Sequence, residues 1–214
     1  YELDDLTKDP NLFPHMNDQV GASAKEETLR LIEDLALSDH DFLNLLTSNT
    51  TYIDRTLASI YGVQAPAREG FGEVSFSGDA SRKGLLGHVS LLAQHSHAVS
   101  TSATLRGKFI RETILCHDIP DPPTDINPSI PEVSEDNPTL RDRVAEHMEV
   151  ESCAACHALM DPIGLGLENY DGIGRYRVTE NGHTIDASGD PDGQSLSDGL
   201  DMAQVLRDHP HVGH

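Results

Sequence analysis

The sequence predicts a mainly α fold carrying a proline-rich strap and one small β-hairpin. Three observations predict it. Apolar residues recur at helical spacing behind N-cap signals along much of the chain; prolines gather at 120, 122, 123, 128, 131 and 138; and one pair of alternating segments flanks Asn181-Gly182.

Residues 1 to about 22 are polar, broken by Pro10 and Pro14, and read as an irregular lead-in. Ser23 and Glu26 form an S-x-x-E capping box, and Leu29, Ile32, Leu35 and Ala36 follow at helical spacing, so a helix is expected to about Leu37. A second start at Ser38 to Asp41 leads into Phe42, Leu43, Leu45 and Leu46. A third helix is expected over Tyr52 to Tyr61, with Gly62 as its C-terminal glycine. Gln64 to Asp79, with Pro66 and the alternating Glu73-Val74-Ser75-Phe76, reads as a linker with a short strand, and a boundary is placed near residue 78.

Ser81 to Gln94 sets Leu85, Leu86, Val89, Leu91 and Leu92 on a buried helix that ends in Gln94-His95-Ser96-His97. Ser100, Thr101 and Ser102 offer an N-cap for a helix from Ala103 to about Leu115, on which Arg106, Lys108 and Arg111 cluster. The prolines between Ile119 and Pro131 make an extended, polyproline-like crossing. Asn137-Pro138-Thr139 caps a helix through Leu140, Val144 and Met148, and Asp161-Pro162 is expected to stop the helix after it. Gly164, Gly166, Gly172 and Gly174 then read either as backbone approaching something flat or as an ordinary tight loop. Tyr176 to Thr179 pairs with His183 to Ile185 across the Asn181-Gly182 turn, and a last helix is expected from Leu200 to about Arg207. Asp186, Asp190 and Asp192 resemble a calcium loop but lack the EF-hand spacing.

Hydrophobic residues make up 37% of the 214 and aromatics 5%, with no tryptophan, so the apolar core is lean. The formal net charge of -21 argues against nucleic acid and anionic membrane surfaces as partners and favours basic proteins or small molecules, plain solubility being the alternative. No run of 18 apolar residues exists, so no membrane span is expected. Tyr1-Glu2-Leu3-Asp4-Asp5 is acidic and lacks an initiator methionine; a removed leader or a longer parent protein is the expectation. No Ser-His-Asp set and no paired carboxylates of recognisable spacing support hydrolysis.

The chemistry concentrates in Cys153-Ala154-Ala155-Cys156-His157, which takes two of the three cysteines. In a c-type haem two thiols add across the porphyrin vinyl groups and the next residue turns its imidazole onto the iron, so this order and spacing implies one covalent haem c on Cys153 and Cys156, with His157 as proximal ligand. Half of a zinc site and a thioredoxin-like redox pair are the alternatives. Zinc usually takes a second close pair, which Cys116 does not supply, and a redox pair needs a preceding apolar strand where this chain has an acidic helix. Met160, three residues past His157, lies on the same side of a helix and is expected to pack against the ring. Arg106 is a candidate partner for haem propionates, against the alternative of a solvated cationic face.

Four segments carry a family resemblance: Arg82-Lys83-Gly84-Leu85-Leu86; Ser96-His97 with Ser102 and Arg106-Gly107; Cys153 to Gly164; and Leu167-Glu168-Asn169-Tyr170-Asp171-Gly172-Ile173-Gly174-Arg175. Together they resemble the planctomycete-type multidomain c-type cytochromes, exported proteins built from domains of unknown function. Tyr52 to Gly62 is similar to the end of the module that precedes the haem module there, and Ile185 to Gly189 with Asp192-Gly193 to the start of the one that follows. The resemblance implies a cytochrome c-like helical haem domain and three parts: 1–78, the C-terminal part of a helical module; 79–180, the haem-binding module; and 181–214, the start of a third module. Ala98 stands where the family usually has proline after Ser-His. Cys116 is either a buried free thiol or a cysteine whose disulfide partner lies elsewhere.

His97, at a helix end facing a capped turn and matching the family's Ser-His, is the first candidate for the sixth iron position; a histidine satisfied by loop backbone is its alternative. Met148, Met202, His88, His95 and His147 are outside candidates. The leading expectation is single-electron transfer by a monohaem domain of a larger periplasmic or extracellular protein, with a basic redox partner and a homo-oligomer or larger assembly as further expectations. A peroxidase- or oxidase-type enzyme using Arg106 and His95, and a haem acting as a structural staple, are the rival readings.

Overall fold

A computed structural model of the chain describes residues 3–78, 82–120 and 130–212. Most of the proline-rich strap, with Pro122, Pro123 and Pro128, lies outside the described residues, as does Ser81 at the expected start of the 81–94 helix. The described residues are mainly helical, with two two-stranded antiparallel sheets.

Helix α1 (Val20–Leu37) begins three residues before the expected capping box and has no side-chain cap at Gln19. Ser23 instead donates its hydroxyl to Asp54 Oδ2 at 2.7 Å. Its buried stripe runs through Val20, Ala24, Glu27, Thr28, Leu31 and Leu35, whereas Leu29 is exposed. After α2 (Asn44–Thr47), the expected start of the third helix is a strand: β1 (Thr50–Ile53) pairs with β2 (Gly72–Ser75) in the register Thr51↔Val74. β-Branched Thr50, Thr51 and Ile53 favour the pleated backbone. The helix then begins where Asp54 accepts from Leu57 N, giving α3 (Arg55–Tyr61), closed by Gly62 at φ 69°.

The expected 81–94 helix is broken by Gly84. This residue sits at φ 44° with its backbone so close to α2 that a Cβ would lie 2.1 Å from the Leu45 carbonyl oxygen. One 3-10 turn (Leu85–Gly87) and α4 (Val89–Gln94) follow. Ser102 caps α5 (Ala103–Phe109), which continues as a π-helical turn to Ile114. Thr139 and Asp142 form a reciprocal capping box for α6 (Leu140–His147). Helix α7 (Glu151–Leu165) carries Pro162 inside it, so Asp161-Pro162 does not stop the helix. Asn181 (φ 50°) and Gly182 (φ 84°) turn β3 (Thr179–Glu180) back onto β4 (His183–Thr184), and Asp198 caps α8 (Gly199–Arg207).

Helix α4 joins the two main apolar clusters. Its Leu91 and Leu92 pack with Leu86, Ile110, Ile163, Leu167 and Met202. Its Val89 and Ala93 pack with Val20, Ala24, Ile53, Leu57, Ile60 and Tyr61. The segment after residue 78 is therefore built into the same core as the helices before it.

A buried polar network seals that junction. Glu27 accepts from Tyr61 Oη at 2.6 Å and from Thr51 Oγ1 at 3.2 Å. His88 lies between Thr28 Oγ1 at 3.1 Å and Thr51 Oγ1 at 3.2 Å. Burial raises Glu27 to about 8, against the hydrogen bonds from Tyr61 and Thr51. Burial, aided by the Arg82 charge, lowers His88 to about 3. The 3.7 Å approach of the two side chains thus joins a carboxylic acid to a neutral imidazole rather than an ion pair.

Unfolded, these groups titrate near about 4.3 and about 6.5. Between roughly those values, folded and unfolded chains hold equal numbers of protons on the pair, and its contribution is flat. Above about pH 6.5 the folded chain alone keeps a proton, on Glu27, so stability falls as pH rises toward 8. Below about pH 4.3 the unfolded chain binds one more proton, on His88, so stability falls as pH drops toward 3. Glu27→Gln keeps a neutral side chain at this site and is expected to remove the alkaline fall. Denaturant midpoints measured near pH 6 and near pH 8.5 test this, and an alkaline fall as steep as in the wild type contradicts it.

Candidate functional site

The site is built on α7. Cys153, Cys156 and His157 occupy positions i, i+3 and i+4 of one helix, so they share a face. Cys153 is buried, Cys156 is partly exposed with Sγ 3.9 Å from the Pro120 carbonyl oxygen, and both thiols are free. The start of the proline-rich strap, at Pro120, therefore meets the motif.

What fixes α7 is its crossing with α5. A Cβ on Gly107 would stand 1.9 Å from the Met160 carbonyl oxygen, and one on Gly164 would stand 1.8 Å from that of Ala103. This approach lets Thr104 donate to Asp161 Oδ1 at 2.9 Å. The other oxygen of Asp161, Oδ2, takes a 2.7 Å hydrogen bond from His157 Nδ1. A carboxylate only accepts, so Nδ1 carries the proton and Nε2 keeps its lone pair in the neutral ring. The Asp161 bond raises the His157 pKa, with burial opposing it.

The ring that meets His157 is that of His147, the last residue of α6, with centroids 4.7 Å apart and planes at 64°. His147 is 8% exposed, and burial, then the neighbouring His157 charge, lower its pKa. Asp161 also lines a groove of about 490 Å³, together with Val144 and Met148 of α6, Pro162 and Leu165 of α7, and the polar Arg141, Ser188, Asp190 and Ser195. Two free thiols and an imidazole whose Nε2 is unprotonated, on one helix face, fit the attachment of a c-type haem. Among the described residues, no group of three or more His, Cys, Asp and Glu is arranged to hold a metal ion.

The remaining residues singled out by sequence lie elsewhere. His97 is exposed in the turn between α4 and α5; its carbonyl accepts from Lys8 Nζ at 2.9 Å, beside that of Ser96 at 2.7 Å. Met160 is buried at the α5–α7 crossing. Arg106, Lys108 and Arg111 do not form one solvated face. Arg106 is fully buried, donating to the carbonyls of Leu92, Leu167, Tyr170 and Asp171 and to Ser96 Oγ. Arg111 is buried between the Leu159 carbonyl and Asp192, whose carboxylate it pairs with at 2.5 Å. Lys108 pairs with Glu112 on the surface. His95 stacks on Phe109 with centroids 4.4 Å apart, and burial, with Arg106 and Lys8, lowers it to about 4. Cys116 is exposed, at φ 54°, which corrects the expectation of a buried thiol.

Sequence reading passed over Asp161 as a site residue, although a carboxylate four positions after a helical histidine is within its reach. Residues 82–180 match the family PSCyt3, described as a protein of unknown function (DUF1588), and residues 1–63 match PSD4, a protein of unknown function (DUF1592). Both domains of unknown function are found in planctomycete-type multidomain cytochrome c proteins. No curated protein and no solved structure matches the chain.

If Asp161 holds the His157 proton, Asp161→Asn removes the charge that keeps it there. The His157 pKa, followed by NMR of the haem-free protein, is expected to fall; an unchanged titration contradicts the assignment.

Proposed function

We propose that this chain is a monohaem c-type cytochrome segment that transfers single electrons as part of a larger exported protein. The observation that carries the reading is the face of α7, where Cys153 and Cys156 stand one helical turn apart and Asp161 holds His157 with Nε2 free. A haem bound there supplies a reversible one-electron iron couple. The protein's own part is orientation. Asp161 and Thr104 fix the imidazole, and the α5–α7 crossing fixes Asp161.

Electron transfer is favoured over haem-enzyme catalysis because the residues an enzyme would use are engaged in the fold. The Arg106 guanidinium is bound by backbone carbonyls, and His95 is stacked and neutral. The net charge of -21 suits docking of a basic redox partner, in an association weakened by salt. Among the described residues no helix is long and apolar enough to cross a membrane. Haem attachment to a C-x-x-C-H motif takes place outside the cytoplasm, which supports a location in the periplasm or beyond.

An optical redox titration of protein produced with a cytochrome c maturation system tests the reading. A reversible change fitting one electron, without peroxide turnover above that of free haem, is expected. Rapid peroxide turnover at an open iron face would overturn it in favour of an enzyme.

A further inference from the structure

We propose that His147 is the second axial ligand of the haem iron, opposite His157. The inference rests on the haem reading above, and it moves the sixth position from His97 in the α4–α5 turn to the C-terminal end of α6.

Three observations carry it. First, the His147 ring packs against the proximal imidazole itself, with centroids 4.7 Å apart. Two imidazoles bound to one metal through bonds of ~2.0 Å hold their centroids roughly 6 Å apart, so these neighbouring rings have to separate and turn their Nε2 atoms toward one another to take an iron between them. Second, His147 is placed to make that adjustment. It ends α6 and enters the short turn to α7, where Val150 N reaches its carbonyl only at 3.4 Å, and among the described residues no side-chain hydrogen bond holds its ring. Third, a groove of about 490 Å³ between the same two helices has an apolar part, Val144 and Met148 from α6 and Pro162 and Leu165 from α7, with Arg141, Asp161 and Asp190 also on its lining. A flat apolar group inserted there would bury surface now open to water.

The alternatives fit less well. His97 is exposed in the turn before α5, at the other end of that helix from the Gly107–Met160 contact, and its carbonyl is held by Lys8. Met148 lines the same groove and is the strongest competitor, offering a thioether one residue from His147. The two differ in outcome, because two imidazoles hold the iron at a lower potential than an imidazole and a thioether.

The test uses the haem-loaded protein. Intact mass first establishes covalent haem, and its absence from the wild type overturns the haem reading together with this proposal. Where haem is present, the ferric wild type is expected to be six-coordinate and low-spin, with a near-infrared magnetic circular dichroism band of the two-imidazole type. His147→Ala is expected to keep the haem mass, convert most of the iron to high spin, and recover the low-spin spectrum when imidazole is added. His97→Ala is expected to leave the low-spin spectrum unchanged. A low-spin His147→Ala protein overturns the proposal. So does a wild-type band of the imidazole–thioether type, a reading that stands even if the His147 variant fails to fold.

Discussion

The structure depends on one contact, the crossing of α5 and α7 at backbone distance. Gly107 faces the Met160 carbonyl and Gly164 faces that of Ala103, at separations where no Cβ fits. Each helical glycine costs about 1 kcal/mol in propensity relative to alanine. The crossing keeps both because the atoms they face are backbone, which cannot rotate away as a side chain can; an added methyl would strain the pair by about 1–3 kcal/mol or more. The return on that cost is positional. Only at this distance does Thr104 reach Asp161, and Asp161 in turn fixes the imidazole that follows the cysteine pair.

A second constraint holds the crossing from outside. Arg106, one residue before Gly107, is completely buried, and its guanidinium gathers the carbonyls of the loop after α7 onto the end of α4. Burial lowers its pKa to about 10, against the attraction of Glu168, so it stays charged at neutral pH. A buried cation is tolerable only when its donors are satisfied. Here five acceptors and an ion pair with Glu168 at 3.5 Å do most of that, leaving Nε without a partner. The charge that sequence reading offered to haem propionates is thus committed to the fold around α7.

How much of this was legible follows from which signals are local. The caps at Ser102 and Thr139, the terminating Gly62 and the Asn181-Gly182 turn are short-range chemistry, and they stand where the sequence puts them. The phase of α1 was misread because its buried face carries Glu27 and Thr28, which look like surface residues until Tyr61, Thr51 and His88 are brought to them. Tyr52 was read as helical because its strand partner lies some twenty residues on, at Glu73. Pro162 failed to stop α7 near its end, where the crossing with α5 and packing against residue 189 hold the last turn. Of the site, the C-x-x-C-H spacing was legible. Asp161 required seeing the helix run on past it, and the place of His147 required seeing α6 fold back onto α7.

On the proposed reading, the face of α7 holds one covalent group. Thiols, imidazole and carboxylate are set by one helix, and that helix is set by two glycines and a buried arginine. The most direct measurement is the intact mass of the denatured protein after expression with a cytochrome c maturation system, in the wild type and with Cys153→Ser and Cys156→Ser combined. The account predicts that the wild type gains the mass of one haem, which survives denaturation, and that the double variant gains none. A wild-type mass equal to that of the bare polypeptide would contradict it.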